Sequence, residues 1–386
     1  MQVFLITLAM ALVFAAIVCA LPHIIFGIWW AIACLFHLPA PPYAPFGWTA
    51  LALVLALWLV MAYGCFFGRF RLWVNRTDYT SSDLPAAFDG YRVVHISDLH
   101  LSTFDDRPAA LQRVVDSINA LQPDLICFTG DLVTMGVAEA QPYTGILRGL
   151  RATDGVVSVL GNHDLLIYSR LPEEQRLAEV ERLAAFERDT LGWQLLRNRH
   201  ITLHRGTNDT TDIQTLTATD TATPQTLTIL GVDNSSCDGQ GFRTIYSGDL
   251  PQALQGTDGF RLLLSHDPSQ WMAEIVDKTP VSLTLSGHTH AGQVRLFGHP
   301  LSDLMFHESA GWYHHPIQDA HRLTQGTHHN TPTTPQGCPH NTQPSHHSAA
   351  QSLYVNEGIG CTAPIRINCP SEITLITLHS PSPSRP

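Results

Sequence analysis

The first 68 residues of this 386-residue chain contain no Asp, Glu, Lys or Arg. Charged residues make up 14% of the chain, against roughly a quarter in an ordinary soluble domain. All of them follow Gly68. This asymmetry excludes a single uniform globular domain. It predicts a membrane anchor at residues 1–68 and a soluble domain at residues 69–386.

Basic residues are scarce as well. The chain has 22 Lys+Arg against 33 Asp+Glu, a formal net charge of −11, and Lys278 is its single lysine. Proteins that bind nucleic acid neutralise phosphates with clustered Lys and Arg. We therefore expect no nucleic-acid partner.

The uncharged segment contains three apolar runs, at residues 3–21, 24–38 and 48–67. A helix needs about 20 apolar residues to cross the hydrocarbon core, so the first and third runs are predicted to span a membrane. The middle run is short, which leaves two or three transmembrane segments open. A cleaved secretory signal is the alternative for the first run. Such a signal begins with positively charged residues, but no Lys or Arg precedes this run.

The basic residues nearest the anchor are Arg69, Arg71 and Arg76, directly after the third run. Loops on the cytoplasmic side of a membrane carry an excess of Lys and Arg. We therefore expect a multi-pass protein of the cell (inner) membrane with its soluble domain in the cytoplasm. A periplasmic domain is the alternative.

Short β-rich runs alternate with helical periodicity in the soluble domain, and this pattern predicts an α/β fold with βαβ units. The helical segments include residues 139–150 and 173–190. Two inserts interrupt the pattern, a Thr-rich one at 206–226 and a His/Thr/Pro-rich one at 316–350. The composition of the second cannot bury a core, so we predict that it is disordered. A metal-scavenging role for its histidines is the alternative.

Polar side chains follow five predicted strands at the point where each strand ends. The segments are Asp98-Leu99-His100, Gly130-Asp131, Gly161-Asn162-His163-Asp164, His266-Asp267 and Gly287-His288-Thr289-His290. In open α/β sheets, ligands bind at the carboxyl ends of the strands. Carboxylate, imidazole and amide groups suit divalent metals, and two such ions about 3.5–4 Å apart can share a carboxylate and activate a water. The sequence therefore predicts a metal site at this edge.

These five segments resemble, in order and character, the motifs of the calcineurin-like metallophosphoesterases. Residues 287–298 and 355–378 resemble the membrane-anchored bacterial branch of that superfamily. The resemblance implies a four-layer α/β/β/α sandwich, here preceded by transmembrane helices. It also implies two divalent metal ions as cofactors, with Mn, Zn, Fe and Mg left open.

The resemblance further implies a role for each residue of the five segments. The implied ligands are Asp98, His100 and His290 for one metal, Asn162, His266 and His288 for the second, and Asp131 as the bridge between them. A metal-bridging hydroxide would attack phosphorus. His163, beside the metals, would stabilise the transition state or protonate the leaving oxygen.

The chain departs from the superfamily pattern at one place. Phosphoprotein phosphatases of the superfamily carry an Asp that orients the catalytic His and an Arg that binds phosphate, where this sequence has Thr134 and Met135. A threonine cannot supply the charge that stabilises an imidazolium, so we expect His163 either to be a weaker acid or to be oriented by another group, such as Asp164. The missing arginine makes phosphoprotein substrates less expected.

Two arginines that follow the ligand segments are candidates for contacts to a substrate phosphate. Arg295 lies shortly after the last ligand, and Arg366 lies near the carboxyl end of the domain. For both, a solvent-exposed arginine without a substrate role is the alternative.

We therefore predict a dinuclear-metal phosphoesterase that hydrolyses phosphodiester or pyrophosphate bonds, with a lipid-linked substrate as one option. One alternative is a phosphodiesterase of soluble nucleotides or generic diesters. The other is a non-catalytic, metal-binding membrane module. The expected partners are the lipid bilayer and a phosphate-ester substrate, and the sequence predicts no particular oligomeric state.

Overall fold

A computed structural model describes residues 2–205, 225–237, 245–316 and 350–381. The chain begins with two long helices, α1 (Gln2–Leu35) and α2 (Ala44–Phe66). Helix α1 continues through Pro22, so it joins the first two apolar runs into one rod about 50 Å long. Within the described residues, these two helices are long and apolar enough to cross a membrane.

After these two helices, most strands of the described chain belong to two six-stranded mixed sheets. The first, in spatial order, contains β1 (Leu72–Thr80), β16 (Ser371–His379), β2 (Tyr91–Ile96), β3 (Leu125–Phe128), β4 (Val156–Ser158) and β5 (Gln194–Leu195). The second contains β14 (Gly311–Pro316), β15 (Ala350–Val355), β11 (Leu283–Ser286), β10 (Phe260–Leu264), β7 (Gln225–Gly231) and β6 (Arg199–Arg205). Two small ribbons pair β8 (Ser235–Ser236) with β9 (Ile245–Tyr246) and β12 (Arg295–Leu296) with β13 (His299–Pro300).

The pairing directions bring the strands that carry the motifs into register. Strands β2, β3 and β4 pair parallel in the first sheet, and β10 and β11 pair parallel in the second. Their carboxyl ends therefore lie at one edge of each sheet. Strand β1 stands at the outer edge of the first sheet, next to β16.

Helices cover the outer faces of both sheets. They are α3 (Pro108–Ala120), α4 (Thr144–Leu147), α5 (Glu173–Ala185) and α6 (Leu250–Leu254), with π-helical turns at Phe186–Leu191 and Trp271–Ile275.

Side chains alternate between two cores along each strand, as the period of two requires. Val93 of β2 packs between the sheets with Leu262 of β10. The next residue, Val94, packs outward with Leu111 of α3. On the opposite side, Leu263 packs outward with α6 and Trp271. The layers are helix, sheet, sheet and helix, which confirms the predicted α/β/β/α sandwich.

One predicted helix differs. Residues 139–150 form short 3₁₀ turns, at Val137–Glu139 and Gln141–Tyr143, followed by the single turn of α4. Pro142 lies in the middle of this segment and supplies no backbone N–H to a continuous helix. The other predicted helix, residues 173–190, forms as α5 and the π-helical turn that follows it.

Both inserts connect neighbouring antiparallel strands. Arg205 of β6 lies opposite Gln225 of β7, and Pro316 of β14 lies opposite Ala350 of β15. Strands β7 and β15 run parallel to β10 and β11, so the inserts leave the sheet at the edge opposite the motifs. The predicted disorder of 316–350 falls, apart from the end residues, outside the described part of the chain.

Candidate active site

The five strand ends meet where the two sheets open at their carboxyl edge. Asp98 and His100 follow β2, Asp131 follows β3, and the remaining motifs follow β4, β10 and β11. The seven predicted ligands lie side by side there, and most are buried. They form two groups of three with Asp131 between them.

The first group lies on the side of β2. Asp98 Oδ1 is 3.2 Å from His290 Nε2 and 3.9 Å from His100 Nε2. The two Nε2 atoms are 3.2 Å apart. Three ligand atoms from two chain segments, those after β2 and β11, thus face one point.

The second group lies on the side of β4 and β10. Asn162 Oδ1 is 2.8 Å from His288 Nδ1 and 2.9 Å from His266 Nε2. The two imidazole nitrogens are 3.3 Å apart. An amide oxygen and two imidazoles converge here as a carboxylate and two imidazoles do in the first group.

Asp131 reaches both groups with one oxygen. Its Oδ2 is 3.6 Å from His100 Nε2 and 3.2 Å from His266 Nε2. Its Oδ1 accepts a hydrogen bond from the backbone N–H of His163 at 2.8 Å. One carboxylate oxygen is thereby fixed by the backbone, and the other stands between the groups.

The donor atoms fit divalent cations. Ligands held at about 2.1 Å from an ion, at right angles, lie about 3 Å apart, close to the 3.2 Å separations of the first group. The buried Asp98 Oδ1 has no hydrogen-bond partner among the described residues. A buried carboxylate oxygen without a partner is costly unless a cation compensates it.

The backbone is strained at the ligands. Asp98, His100, Asp131, His288 and His290 have φ of 53°, 37°, 60°, 70° and 51°. This left-handed region is disfavoured for residues other than glycine, and such residues cluster at functional sites, at a cost of about 1–3 kcal/mol each. The strain turns these side chains inward from successive loops.

The ionisable groups of the site shift one another's pKa. Burial raises the pKa of the Asp98 carboxyl, but the surrounding histidines, His290 foremost, together outweigh burial and hold that pKa well below its ordinary value. Burial also raises the pKa of Asp131, and the histidines around it, His266 foremost, together lower that pKa. Burial lowers the pKa of His100 and of His288. Burial also lowers the pKa of His266, but its acidic neighbours, Asp131 foremost, together outweigh burial and raise that pKa to about 10.

Outer contacts hold the imidazoles in place. His266 Nδ1 lies 2.7 Å from the Thr129 carbonyl oxygen, and His288 Nε2 lies 3.6 Å from Asp267 Oδ2. The hydrogen bond of His266 fixes its ring orientation and tautomer, as is usual for a ligating histidine. Asp267 lies too far from His288 for a hydrogen bond and acts on it through its charge. Asp267 stood next to a predicted ligand in the sequence, but its own role becomes visible only in the structure.

His163 borders the site beside Asp131, and its orientation comes from the backbone. His163 Nδ1 lies 3.1 Å from the Thr134 carbonyl oxygen. The hypothesis that Asp164 orients His163 is wrong. The buried Asp164 carboxylate accepts the backbone N–H groups of Asp131, Gly161 and Val133 at 2.7, 3.0 and 3.2 Å. A contact through a backbone carbonyl leaves no signal in the residue type.

Arg366 is fully buried, contrary to the expectation of a substrate-facing or solvent-exposed arginine. Its Nη2 donates to the carbonyls of Glu357, Gly358 and Gly360 at 2.9, 3.0 and 2.7 Å. The same nitrogen lies 3.4 Å from His290 Nδ1. Arg366 therefore holds the β15–β16 loop beneath the first ligand group.

Arg295 forms an ion pair with Glu357. It is absent from the lining of the cavity described next, and its substrate-binding role stays a prediction.

A cavity of about 470 Å³ opens onto the ligands. Its polar wall includes Asp131, Asn162, His163, His288 and His290. The lining also includes the apolar side chains Leu301, Met305 and Phe306, and the Phe306 ring lies 5.5 Å from that of His288. The sequence motifs predicted the polar residues at the strand ends and missed these apolar ones.

The sequence profile of the calcineurin-like phosphoesterases matches residues 91–292, just over half of the chain. The chain belongs to the calcineurin-like phosphoesterases. This family of metal-dependent enzymes hydrolyses phosphoesters, and the cluster of buried carboxylates and histidines is where this member can hold metal. The family resemblance predicted from the motifs is confirmed.

Proteins from bacteria and from an animal are similar to this phosphoesterase. An uncharacterized metallophosphoesterase, YkuE, of Bacillus subtilis is 28% identical, with 80% of this chain and 86% of that protein covered. The UDP-2,3-diacylglucosamine pyrophosphatase LpxG of Chlamydia trachomatis is 27% identical, with 78% and 88% covered. A transmembrane protein with metallophosphoesterase domain of Danio rerio is 31% identical, with 58% of this chain and 44% of that protein covered. Together with α1 and α2, these relatives indicate membrane association.

Proposed function

We propose that this phosphoesterase binds two divalent ions and hydrolyses a phosphodiester or pyrophosphate bond in a lipid-linked substrate. The observation that carries the proposal is the position of Asp131 Oδ2, 3.6 Å from a nitrogen of one ligand group and 3.2 Å from a nitrogen of the other. Two ions held there would polarise the phosphoryl oxygens and lower the pKa of a shared water.

The ligand roles follow from the two groups. Asp98, His100 and His290 would hold the first ion. Asn162, His266 and His288 would hold the second. The remaining oxygen of Asp131 would serve both, because its partner oxygen is already bound to the backbone of the loop after β4.

His163 is proposed to deliver a proton to the leaving oxygen. Its Nδ1 faces the Thr134 carbonyl, so Nε2 is the nitrogen left to exchange a proton inside the cavity. A general acid matters most for a leaving group that is a poor one. We therefore expect His163→Ala to lower kcat far more for a phenyl ester than for a p-nitrophenyl ester. An equal loss on both would remove this role.

Two observations support a lipid-linked substrate. The cavity lining includes three apolar side chains, Leu301, Met305 and Phe306, which suit acyl or other apolar groups better than a free nucleotide. The relative LpxG carries in its name a substrate with two acyl chains and a pyrophosphate.

Metal analysis of the purified full-length protein tests the dinuclear site. The protein is stripped of metal, reloaded with Mn²⁺, Zn²⁺, Fe²⁺ or Mg²⁺, and assayed for bound ions and for hydrolysis of bis(p-nitrophenyl) phosphate. We expect two ions per chain, and one fewer in His100→Ala or Asn162→Ala. His204→Ala, at an exposed histidine of β6, is the control. A maximum of one ion per chain would overturn the proposal.

A matched substrate pair tests the lipid preference. UDP-2,3-diacylglucosamine in vesicles is compared with a soluble nucleotide pyrophosphate of the same head group. We expect a higher kcat/KM for the lipid. A preference for the soluble compound would favour the alternative of soluble nucleotides or generic diesters.

We also propose that α1 and α2 both cross the inner membrane and that the catalytic domain faces the cytoplasm. Arg69 and Arg71, directly after α2, support this orientation. Two reporters, each fused after Pro386, test the orientation. Alkaline phosphatase is active only in the periplasm, whereas green fluorescent protein fluoresces in the cytoplasm and only poorly after export. Activity of the phosphatase fusion would place the domain on the other side.

A further inference from the structure

An exposed apolar segment borders the cavity. It comprises residues 295–305, which form the β12–β13 ribbon and the 3₁₀ turn Leu301–Leu304, and we call it the apolar lip. Among the described residues after 68, eleven large hydrophobic side chains are exposed. Five of them belong to the lip: Leu296, Phe297, Leu301, Leu304 and Met305. A contiguous apolar surface of this kind marks a binding or membrane-contact site.

The tip of the lip presents an aromatic ring outward. Phe297 is 101% exposed, has φ of 52° and precedes Gly298 with φ of 90°. The left-handed region disfavours a bulky residue, and a fully exposed ring gains no packing energy within the chain to offset that cost. The side chain can gain burial only from something outside the described fold.

The lip is joined to the end of helix α2. The backbone N–H of Arg295 donates to the carbonyl of Ile367 at 3.0 Å. The backbone N–H of Arg366 donates to the carbonyl of Gly64, in the last turn of α2, at 3.3 Å. A side chain at Gly64 would meet the side chains of Ile365 and Ile367 at 2.8 and 2.9 Å. One short loop therefore touches the lip and α2.

This contact fixes the position of the lip along the axis of α2, close to the last turn of that helix. The apolar run of α2 ends at Phe67, and the first charge of the chain is Arg69. Tyr63 and Phe67 stack with their ring centroids 6.3 Å apart, and aromatic rings of this kind mark the membrane–water interface. The loop that holds the lip is packed at this level.

The other side of the lip forms the wall of the active-site cavity. Leu301 and Met305 line the cavity together with His288 and His290. Apolar side chains of one short segment, residues 295–305, are thus found both in the cavity lining and at the exposed tip, Phe297.

We propose that the apolar lip inserts into the interfacial layer of the bilayer that holds α1 and α2, so that the cavity opens at the membrane surface. This rests on the proposed membrane location of the two helices. The occupant is phospholipid rather than a second copy of the chain, because the loop that holds the lip is packed against the end of an apolar helix that itself requires lipid around it. A phosphoester attached to a lipid would then reach the ligand groups while its acyl chains stay in lipid.

Photo-crosslinking in the full-length protein tests the insertion directly. Benzoyl-phenylalanine replaces Phe297 in protein reconstituted into nanodiscs of phosphatidylcholine and phosphatidylglycerol. We expect adducts with phospholipid. Leu177 on α5, which is 49% exposed, is the matched position in the catalytic domain and should give none. Adducts between two protein copies at Phe297, or no lipid adduct there, would overturn the proposal.

A third position separates the lip from the anchor. Leu59 on α2 is 72% exposed and should crosslink to lipid if the helices cross the membrane. Lipid adducts at Leu59 without adducts at Phe297 overturn the lip and leave the membrane location intact. Failure at both positions overturns both.

A substrate pair tests the consequence for catalysis. The double variant Phe297→Asp/Leu304→Asp changes two exposed residues that do not line the cavity. We expect KM for the p-nitrophenyl phosphodiester of dioleoylglycerol in vesicles to rise at least about tenfold, and turnover of bis(p-nitrophenyl) phosphate to stay unchanged. Leu177→Asp should change neither. An equal loss on both esters, or none on the lipid ester, would overturn the proposal. If the native enzyme hydrolyses neither ester, the proposed function fails, and the crosslinking result still decides the lip.

Discussion

The anchor and the catalytic domain place their apolar side chains on opposite sides. Among the described side chains of α1 and α2, the buried hydrophobic residues are Ala11, Ala15, Ala33 and Ala50, and large side chains such as Trp48 and Leu59 point outward. In the domain, Leu, Ile, Val and Phe fill the interior. Small residues between helices and large ones outside are typical of helices packed in lipid. The outward side chains of the two helices therefore suit lipid, and the surface of the domain suits water.

The two regions meet at a seam where the last turn of α2 touches the β15–β16 loop. That loop carries Arg366, whose guanidinium lies beneath His290. The anchor therefore touches the scaffold of the active site, a contact that the charge pattern of the sequence alone does not reveal. The apolar lip extends the outward arrangement of the anchor onto the domain.

The largest effect is expected from Asp131→Asn. If catalytic power belongs to the domain alone, the loss of this carboxylate should lower kcat/KM by about 10⁴-fold, or about 5 kcal/mol of transition-state stabilisation. Membrane association should stay unchanged. Hydrolysis of bis(p-nitrophenyl) phosphate and flotation of the protein with vesicles measure the two. Retained activity would contradict the central role of Asp131.

A matched pair of phenylalanines tests the opposite placement of apolar side chains. Phe128 is fully buried against Trp193, and the ring centroids are 5.5 Å apart. The substitution Phe128→Ala should lower the free energy of unfolding of the domain by about 3–5 kcal/mol. Phe14, which is 53% exposed on α1, should change it by less than about 0.5 kcal/mol. Thermal unfolding in nanodiscs compares them. An equal loss of unfolding free energy in both variants would contradict the opposite placement of apolar side chains in the two regions.

The seam itself is tested with two glycines. In Gly64→Val the new side chain would collide with Ile365 and Ile367. We expect this substitution to destabilise the protein by about 1–3 kcal/mol. We also expect a lower kcat, because the collision would displace the loop that holds Arg366. A side chain at Gly27 on α1 would meet no other atom within 4 Å. Gly27→Val is therefore the control. Full activity and stability of Gly64→Val would show that the seam does not support the site.

The smallest effect concerns a buried carboxyl group in the domain, a kind of group that the anchor lacks. Burial raises the pKa of Glu187 well above its ordinary value, and its carboxyl lies 2.6 Å from Ser158 Oγ. Its folded pKa exceeds its unfolded pKa, so stability is full below the unfolded pKa and falls as pH rises through the folded one. Glu187→Gln should therefore reduce the loss of Tm between pH 5 and pH 8. Glu173→Gln, at an exposed position, should leave that loss unchanged.

The carboxyl-end motifs predicted the polar half of the site well. Each of Asp98, His100, Asp131, Asn162, His266, His288 and His290 lies in the cluster, because parallel strands bring their ends to one edge regardless of their separation in sequence. The orientation of His163 was not predictable, since a backbone carbonyl performs it. The buried position of Arg366 was equally hidden, because its partners are carbonyls of a loop without a periodic pattern.

Composition, periodicity and strand-end chemistry are local properties, so they were enough to predict the apolar first segment, the charged remainder, the α/β class and the residue types of the candidate metal ligands. The folded chain adds three features: Asp131 stands between two ligand groups, α2 packs against the loop beneath His290, and an apolar lip borders the cavity. Those features depend on contacts between residues far apart in the chain, and packing alone brings such residues together.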